Sequence, residues 1–160
     1  MMNKAIFLDR DGVINTERGF TYRLEDFVIL PDLFDMLKWF REKGYLLIVV
    51  SNQSGVAKEL YKKEDVEMLH AYLNKELKKN DLYLDEIYYC VHHPDVSNCI
   101  CRKPDSLFIE KALARFNIDP ARSYFIGDKD RDIEAAEKAG VNGLLIEANS
   151  SLNLLKGIIG

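Results

Sequence analysis

The sequence predicts a three-layer, doubly wound α/β fold around a parallel sheet, and three observations carry that reading. Short runs rich in β-branched and aromatic residues, each too short for a helix, recur along the 160 residues. Between them stand stretches with apolar residues at three- and four-residue steps, the spacing of a helix with one buried face. The residues with chemical potential gather where the apolar runs end, which is the ligand-binding edge in such folds. Strand and helix in alternation imply right-handed crossovers and helices on both faces of the sheet. The expected strand order is 3-2-1-4-5.

The first run is "KAIFLD" (4–9). A helix follows from Pro31 through "DLFDMLKWFREK" and stops at Gly44, a proline at the start and a glycine just past the end. "YLLIVVS" (45–51) is the second strand. A helix over 63–79 then shows Val66, Leu69, Leu73 and Leu77 along one face. "LDEIYYC" (84–90) is the third strand, and the helix after Asp105 turns Phe108, Ile109, Ala112, Leu113 and Phe116 inward. "SYFIGD" (123–128) is the fourth. The helix from Asp130 to Ala139, ended by Gly140, has a mostly alanine inner face that lets it lie close to the sheet, and "GLLIEA" (143–148) is the fifth strand. No repeat, linker or low-complexity tract interrupts the pattern, so 1–160 reads as one domain. No stretch is long enough for a separate cap domain; residues 12–30 can supply a small flap.

A net charge of -4 offers no general attraction to a phosphate backbone, which argues against nucleic acid as a partner. The opening "MMNKAIFLDRDG" is too short in its apolar run for a signal peptide or membrane span, so the expectation is a cytoplasmic protein, monomeric and acting on a small molecule. Disulfides are rare in that compartment, and three cysteines cannot pair off completely.

Three strand ends carry functional groups. Asp9 and Asp11 follow the first strand, with Gly12 allowing a sharp turn; Ser51 ends the second; Asp128 ends the fourth, with Asp132 one helical turn on. A lone aspartate after a strand is usually a turn or helix-cap residue. Together these groups change the odds, because clustered carboxylates repel one another unless a cation or proton lies between them. Oxygen ligands of this kind suit Mg²⁺. A carboxylate pair, a hydroxyl, Lys103 and a distant aspartate describe a magnesium-assisted phosphoryl-transfer site. Asp132 reads equally as a contributor from behind that site or as a surface charge, and His70 as a plain surface or packing residue.

"YYCVHHPDVSNCICRKP" (88–104) holds all three cysteines. Cys90, His92, Cys99 and Cys101 make a complete tetrahedral set for Zn²⁺, with no position left for a catalytic water, so such a site is structural. His93 competes with His92 on spacing alone. Inert buried thiols are the alternative. A redox switch is disfavoured because no C-x-x-C is present. Arg102 and Lys103 follow directly, so closing this loop on a metal would fix them before substrate arrives.

"DRDGVIN", "SNQSG", "RKP" and "GDKDRD", in this order and at these strand ends, resemble the four motifs of the haloacid-dehalogenase-like phosphatases across nearly the whole chain. The resemblance implies that Asp9 is a nucleophile forming an aspartyl-phosphate. It implies that Asp11 is the general acid and then base, and that Ser51 and Lys103 hold the phosphoryl oxygens. Mg²⁺ would take the Asp9 carboxylate, the Asp11 carbonyl and Asp128. The zinc loop ending in "CRKP" is similar to that of small phosphatases acting on D-glycero-D-manno-heptose 1,7-bisphosphate and on histidinol phosphate. "DEIYYCVHHP", "SNQSGVAK" and "INTERGFTY" lie nearer the heptose group. That likeness favours His92 as ligand and places Glu17, Arg18, Gly19, Phe20, Ser51, Asn52, Gln53, Ser54, Arg102, Lys103 and Lys129 at the substrate. Removal of the 7-phosphate is the implied reaction. The serine of "SNQSG", the "DSL" after "RKP" and the short spacer between His92 and Cys99 depart from the heptose pattern, so histidinol phosphate stays open as substrate. A non-catalytic domain retaining the fold is disfavoured by the intact Asp9, Asp11, Ser51, Lys103 and Asp128.

Overall fold

The five apolar runs become β1 (Lys4–Leu8), β2 (Tyr45–Asn52), β3 (Glu86–Cys90), β4 (Tyr124–Gly127) and β5 (Asn142–Leu145) in a computed structural model that describes residues 1–160. They form one parallel sheet in the order β3-β2-β1-β4-β5. Period-two alternation along β1 explains the layers. Ile6 and Leu8 enter one core with Leu33, Met36, Leu37, Phe40, Leu69, Leu73 and Leu77, whereas Ala5 and Phe7 enter the other with Ile109, Ala112, Ala135 and Ala136. Helices α1 (Leu33–Glu42) and α2 (Lys63–Lys79) therefore cover one face, and α3 (Leu107–Arg115) and α4 (Asp130–Lys138) the other.

Several boundaries differ from expectation for local reasons. α1 starts two residues after Pro31, because the Leu33 N–H first closes a turn on the Leu30 carbonyl at 3.1 Å. β3 starts at Glu86; before it, Asp85 both donates its N–H to the Leu47 carbonyl and accepts the Leu47 N–H on its side chain, each at 2.8 Å. Beyond β5 the C-terminal residues form a 3-10 helix (Leu152–Gly157) whose Leu152 and Leu155, with Ile159, complete the first core. Alanines on α4 permit the close approach they were expected to permit. A Cβ on Gly143 of β5 would come within 2.8 Å of Ile133.

Residues 12–30 fold back on themselves as a narrow excursion over the carboxyl edge of the sheet. Thr16 N–H donates to the Val28 carbonyl and Leu30 N–H to the Ile14 carbonyl, each at 2.9 Å, with a 3-10 turn at Leu24–Asp26 between. Phe27 and Leu30 are buried beneath it, so the flap is anchored in the core. No helix is long and apolar enough to cross a membrane.

Candidate active site

β1 delivers Asp9 to the sheet edge, where the Asp9 N–H still donates to the Ile126 carbonyl of β4 at 3.1 Å. The chain then turns through Gly12 at φ +88, and a Cβ there would overlap the Asp128 carboxylate. Only glycine allows that conformation and that approach without strain. Asp9 Oδ1 accepts the Arg10 N–H at 2.8 Å and the Lys103 ammonium at 2.9 Å. Oδ2 is thus the oxygen left for other chemistry.

Lys103 arrives from the loop after β3. It is 1% exposed, and its ammonium lies 2.9 Å from Asp9, 2.7 Å from Asp132 and 2.7 Å from the Val50 carbonyl. Asp9 and the Val50 carbonyl accept its hydrogen bonds and Asp132 adds an ion pair, so the buried charge is compensated. Burial pulls the lysine pKa down, but Asp9 and Asp132 outweigh it and hold the group above its ordinary value. Asp132 is fully buried, which settles its two readings against a surface charge. It also accepts the Lys129 N–H at 3.2 Å, capping α4.

Asn52 at the end of β2 grips the Lys103 main chain from both sides. Its Oδ1 accepts the Lys103 N–H at 3.0 Å and its Nδ2 donates to the Lys103 carbonyl at 3.1 Å. The side-chain amide of Asn52 is thereby used as a clamp. Cys90 pairs with Asn52 in the β2–β3 ladder, so the loop from Cys90 to Lys103 leaves from and returns to one point on β2.

Asp9, Asp128 and Asp132 offer carboxylate oxygens within 4.8 Å of one another. Against the single Lys103 charge, three carboxylates leave a net of two negative charges, which a divalent cation would balance. Both Asp128 side-chain oxygens are buried without a hydrogen-bond partner. Burial first, and then Asp9, push its pKa up to about 7. An acid held this high with two orphaned oxygens has the chemistry to accept a hard divalent cation.

The four-ligand set also comes together. Cys90 Sγ lies 3.4 Å from His92 Nδ1, 3.7 Å from Cys99 Sγ and 3.1 Å from Cys101 Sγ, and Cys101 Sγ lies 3.4 Å from His92 Nδ1. Sulfurs about 2.3 Å from one tetrahedral centre stand about 3.8 Å apart, so a small expansion of this cluster would admit a metal at its centre. His93 is placed elsewhere. Its Nδ1 accepts the Asp95 N–H at 3.1 Å and its side chain faces the cavity described next.

A cavity of about 410 Å³ opens above these groups. Its lining includes Asp11, Glu17, Gly19, Phe20, Asn52, Gln53, Ser54, Arg102 and Lys129, all anticipated, together with Thr21, Lys58, Tyr61, His93 and Arg131, which were not. Arg18 is exposed outside it, and Ser51 and Lys103 lie buried beneath. The basic residues at its rim would have needed a three-dimensional view, since Lys58 and Arg131 sit on unrelated elements. Gln53 Nε2 donates to Ser51 Oγ at 2.8 Å, leaving the serine proton for an incoming acceptor, and to Asp11 Oδ2 at 3.2 Å. Tyr61, with its pKa pushed up to about 12 by burial, donates its hydroxyl to Gln53 Oε1 at 2.7 Å and so fixes which way the amide points.

A family model for HAD-hydrolase-like proteins matches residues 100–152. The D-glycero-beta-D-manno-heptose-1,7-bisphosphate 7-phosphatase of Helicobacter pylori (strain J99) is 43% identical over 149 residues, 92% of this chain and 85% of that one. The D-glycero-alpha-D-manno-heptose-1,7-bisphosphate 7-phosphatase of Campylobacter jejuni is 40% identical over 146 residues, 91% of this chain and 83% of that one. Among solved structures, the D,D-heptose 1,7-bisphosphate phosphatase of B. bronchiseptica complexed with magnesium and phosphate superposes with a TM-score of 0.85 at 29% identity, covering 98% of this chain and 88% of that one.

Asp128 gives this site a signature in pH. Without metal its folded carboxyl keeps a proton that the unfolded chain has lost, so its contribution to stability is complete below the ordinary value of 3.8 and is lost as pH rises through about 7. A divalent cation favours the charged form and cancels that loss. Melting temperatures with and without Mg²⁺ should therefore differ more at pH 8 than at pH 5; an equal increment at both would contradict the cation site.

Proposed function

The chain belongs to the haloacid-dehalogenase-like heptose-bisphosphate phosphatases, a family of phosphoric monoester hydrolases, and on that premise we propose that it removes the 7-phosphate of D-glycero-D-manno-heptose 1,7-bisphosphate in two steps. The observation that carries this reading is the buried group of Asp9, Lys103, Asp128 and Asp132 at the floor of a cavity rimmed by cations. In the first step Asp9 Oδ2 attacks phosphorus. The bond to the sugar oxygen breaks, and Asp11 gives that oxygen its proton. In the second step water attacks the same phosphorus, Asp11 takes the water's proton, and the bond to Asp9 breaks.

Lys103 serves both steps without moving far. Its ammonium is held by Asp9, Asp132 and the Val50 carbonyl in the resting protein. Esterified Asp9 loses its charge and becomes a weaker acceptor, which frees the ammonium to face the phosphoryl oxygens. The Ser51 proton, unused by Gln53, is available to the same oxygens. Asp9, Asp128 and the Asp11 main-chain carbonyl would hold Mg²⁺, which supplies charge neutralisation for the transferring group.

The cavity volume and charge fit a bisphosphate. Lys58, Arg102, Lys129 and Arg131 outnumber Asp11 and Glu17 in its wall. Burial, with Arg131 nearby, holds the Arg102 pKa below its ordinary value, and its Nη1 is buried without a partner. A second phosphate at the rim would relieve both conditions. We assign Cys90, His92, Cys99 and Cys101 to a structural Zn²⁺ that closes the loop delivering Arg102 and Lys103.

Initial rates on the heptose bisphosphate and on histidinol phosphate, with Mg²⁺ present, test the substrate. Preference for the heptose is expected, and equal feeble turnover of both would sink the assignment. Asp9→Asn should abolish turnover while preserving the fold; substantial residual activity would remove Asp9 from its role. Elemental analysis of reduced protein purified without added zinc should find about one zinc per chain. Active protein free of zinc would refute the structural metal.

A further inference from the structure

Arg10, the residue between the two reactive aspartates, has no part in the reaction as written, yet it is the largest fully buried side chain of the protein. A guanidinium cannot shed its charge, so its retention in the interior depends on acceptors and opposite charge gathered around it. Nε and Nη2 donate to Asp11 Oδ1 at 3.1 and 2.9 Å. Nη2 also donates to the Thr21 carbonyl at 3.0 Å, and Nη1 stands 3.5 Å from His70 Nε2. The Phe27 ring lies 5.6 Å below the guanidinium carbon. His70 is itself buried, which decides between its surface and packing readings in favour of packing. Burial and the Arg10 charge drive its pKa down to about 3, so the imidazole is neutral and offers Nε2 as an acceptor.

From the Asp11 side the asymmetry is plain. Oδ1 accepts from Arg10 Nε, Arg10 Nη2 and Asn15 Nδ2, the last at 2.9 Å, whereas Oδ2 accepts only from Gln53 at 3.2 Å. An oxygen crowded by three donors has no room for a proton. We propose that Arg10 is the positioning residue for Asp11: it pins Oδ1, leaves Oδ2 as the atom that exchanges the proton, and ties the carboxylate to the 12–30 excursion through Thr21 and to α2 through His70. Flap, helix and acid are thereby held as one unit. A displacement of the flap moves the Thr21 carbonyl, and with it the guanidinium that orients the acid. Geometry of this kind matters for rate, because a misplacement of about 1 Å at a reacting group can cost about a hundredfold.

This inference rests on the proposed role of Asp11, and leaving-group dependence separates the two. Departure of a sugar alkoxide needs a proton, whereas departure of 4-nitrophenolate does not. The value of kcat/KM for each substrate reports the step in which the leaving group departs. Asp11→Asn should lower kcat/KM for the sugar phosphate by about a hundredfold more than for 4-nitrophenyl phosphate. Arg10→Met should show the same selective pattern, about a hundredfold against less than about tenfold. His70→Phe, which keeps Arg10 and removes only one of its acceptors, should show a weaker loss of the same kind, about fivefold on the sugar phosphate. If Arg10→Met does not fold, the His70→Phe ratio decides alone.

Equal losses on both substrates in the Arg10 or His70 variant, with Asp11→Asn still selective, would overturn the positioning role and leave Arg10 a structural residue. Absence of selectivity in Asp11→Asn itself would overturn the acid role, and the Arg10 inference with it.

Discussion

One buried lysine among three carboxylates constrains the rest of the molecule. Removing an ammonium from water costs several kcal/mol unless acceptors and opposite charge surround it. Lys103 meets that condition only where the ends of β1, β2 and β4 converge, since Asp9, Val50 and Asp132 come from β1, β2 and the start of α4. The parallel sheet supplies that convergence. Its strand order sets β1 between β2 and β4, and its cores hold the three strand ends in register. Asp128 then completes the carboxylate group; burial first, and then the neighbouring Asp9 charge, raise its pKa, and the same crowding of carboxylates underlies the affinity for a divalent cation that we propose.

The loop from Cys90 to Lys103 solves a different difficulty, that of bringing a lysine from a distant point in the chain to a buried position. Asn52 holds the main chain at the exit, and the Cys90–Asn52 ladder pair holds it at the entrance. The cysteine and histidine cluster gathers the intervening residues. In the proposed scheme zinc performs no chemistry. It removes freedom that the loop would otherwise lose only on binding substrate. Arg102, next to Lys103, turns the other way into the cavity, so one loop serves the reacting phosphate and the rim together.

Much of this was legible in the sequence, because strand ends in a parallel α/β fold are functional by position and the sequence marks them with unusual residues. "FLDRDG" and "FIGDKDRD" announce carboxylates whichever fold details follow. Burial of polar groups was not legible. Arg10 and Asp132 have the composition of surface residues, and only the pairing of each with a partner remote in sequence shows that they are interior. His70 was hidden for the same reason. It lies on a helix face otherwise made of valine and leucine, and its partner Arg10 is sixty positions away. The C-terminal 3-10 helix escaped notice because it is only six residues long, too short for its periodicity to stand out.

The placement of Lys103 by a metal-closed loop is the claim on which site and mechanism both turn. Inorganic phosphate needs no leaving group to occupy the proposed reacting position. Its dissociation constant, measured with Mg²⁺ present on zinc-loaded, zinc-stripped and zinc-restored protein, reports that placement directly. Stripping zinc should weaken phosphate binding by about tenfold or more, and restoring zinc should recover it. Equal affinity in all three states would show that the loop holds Lys103 without the metal, and would contradict a structural role for zinc at this site.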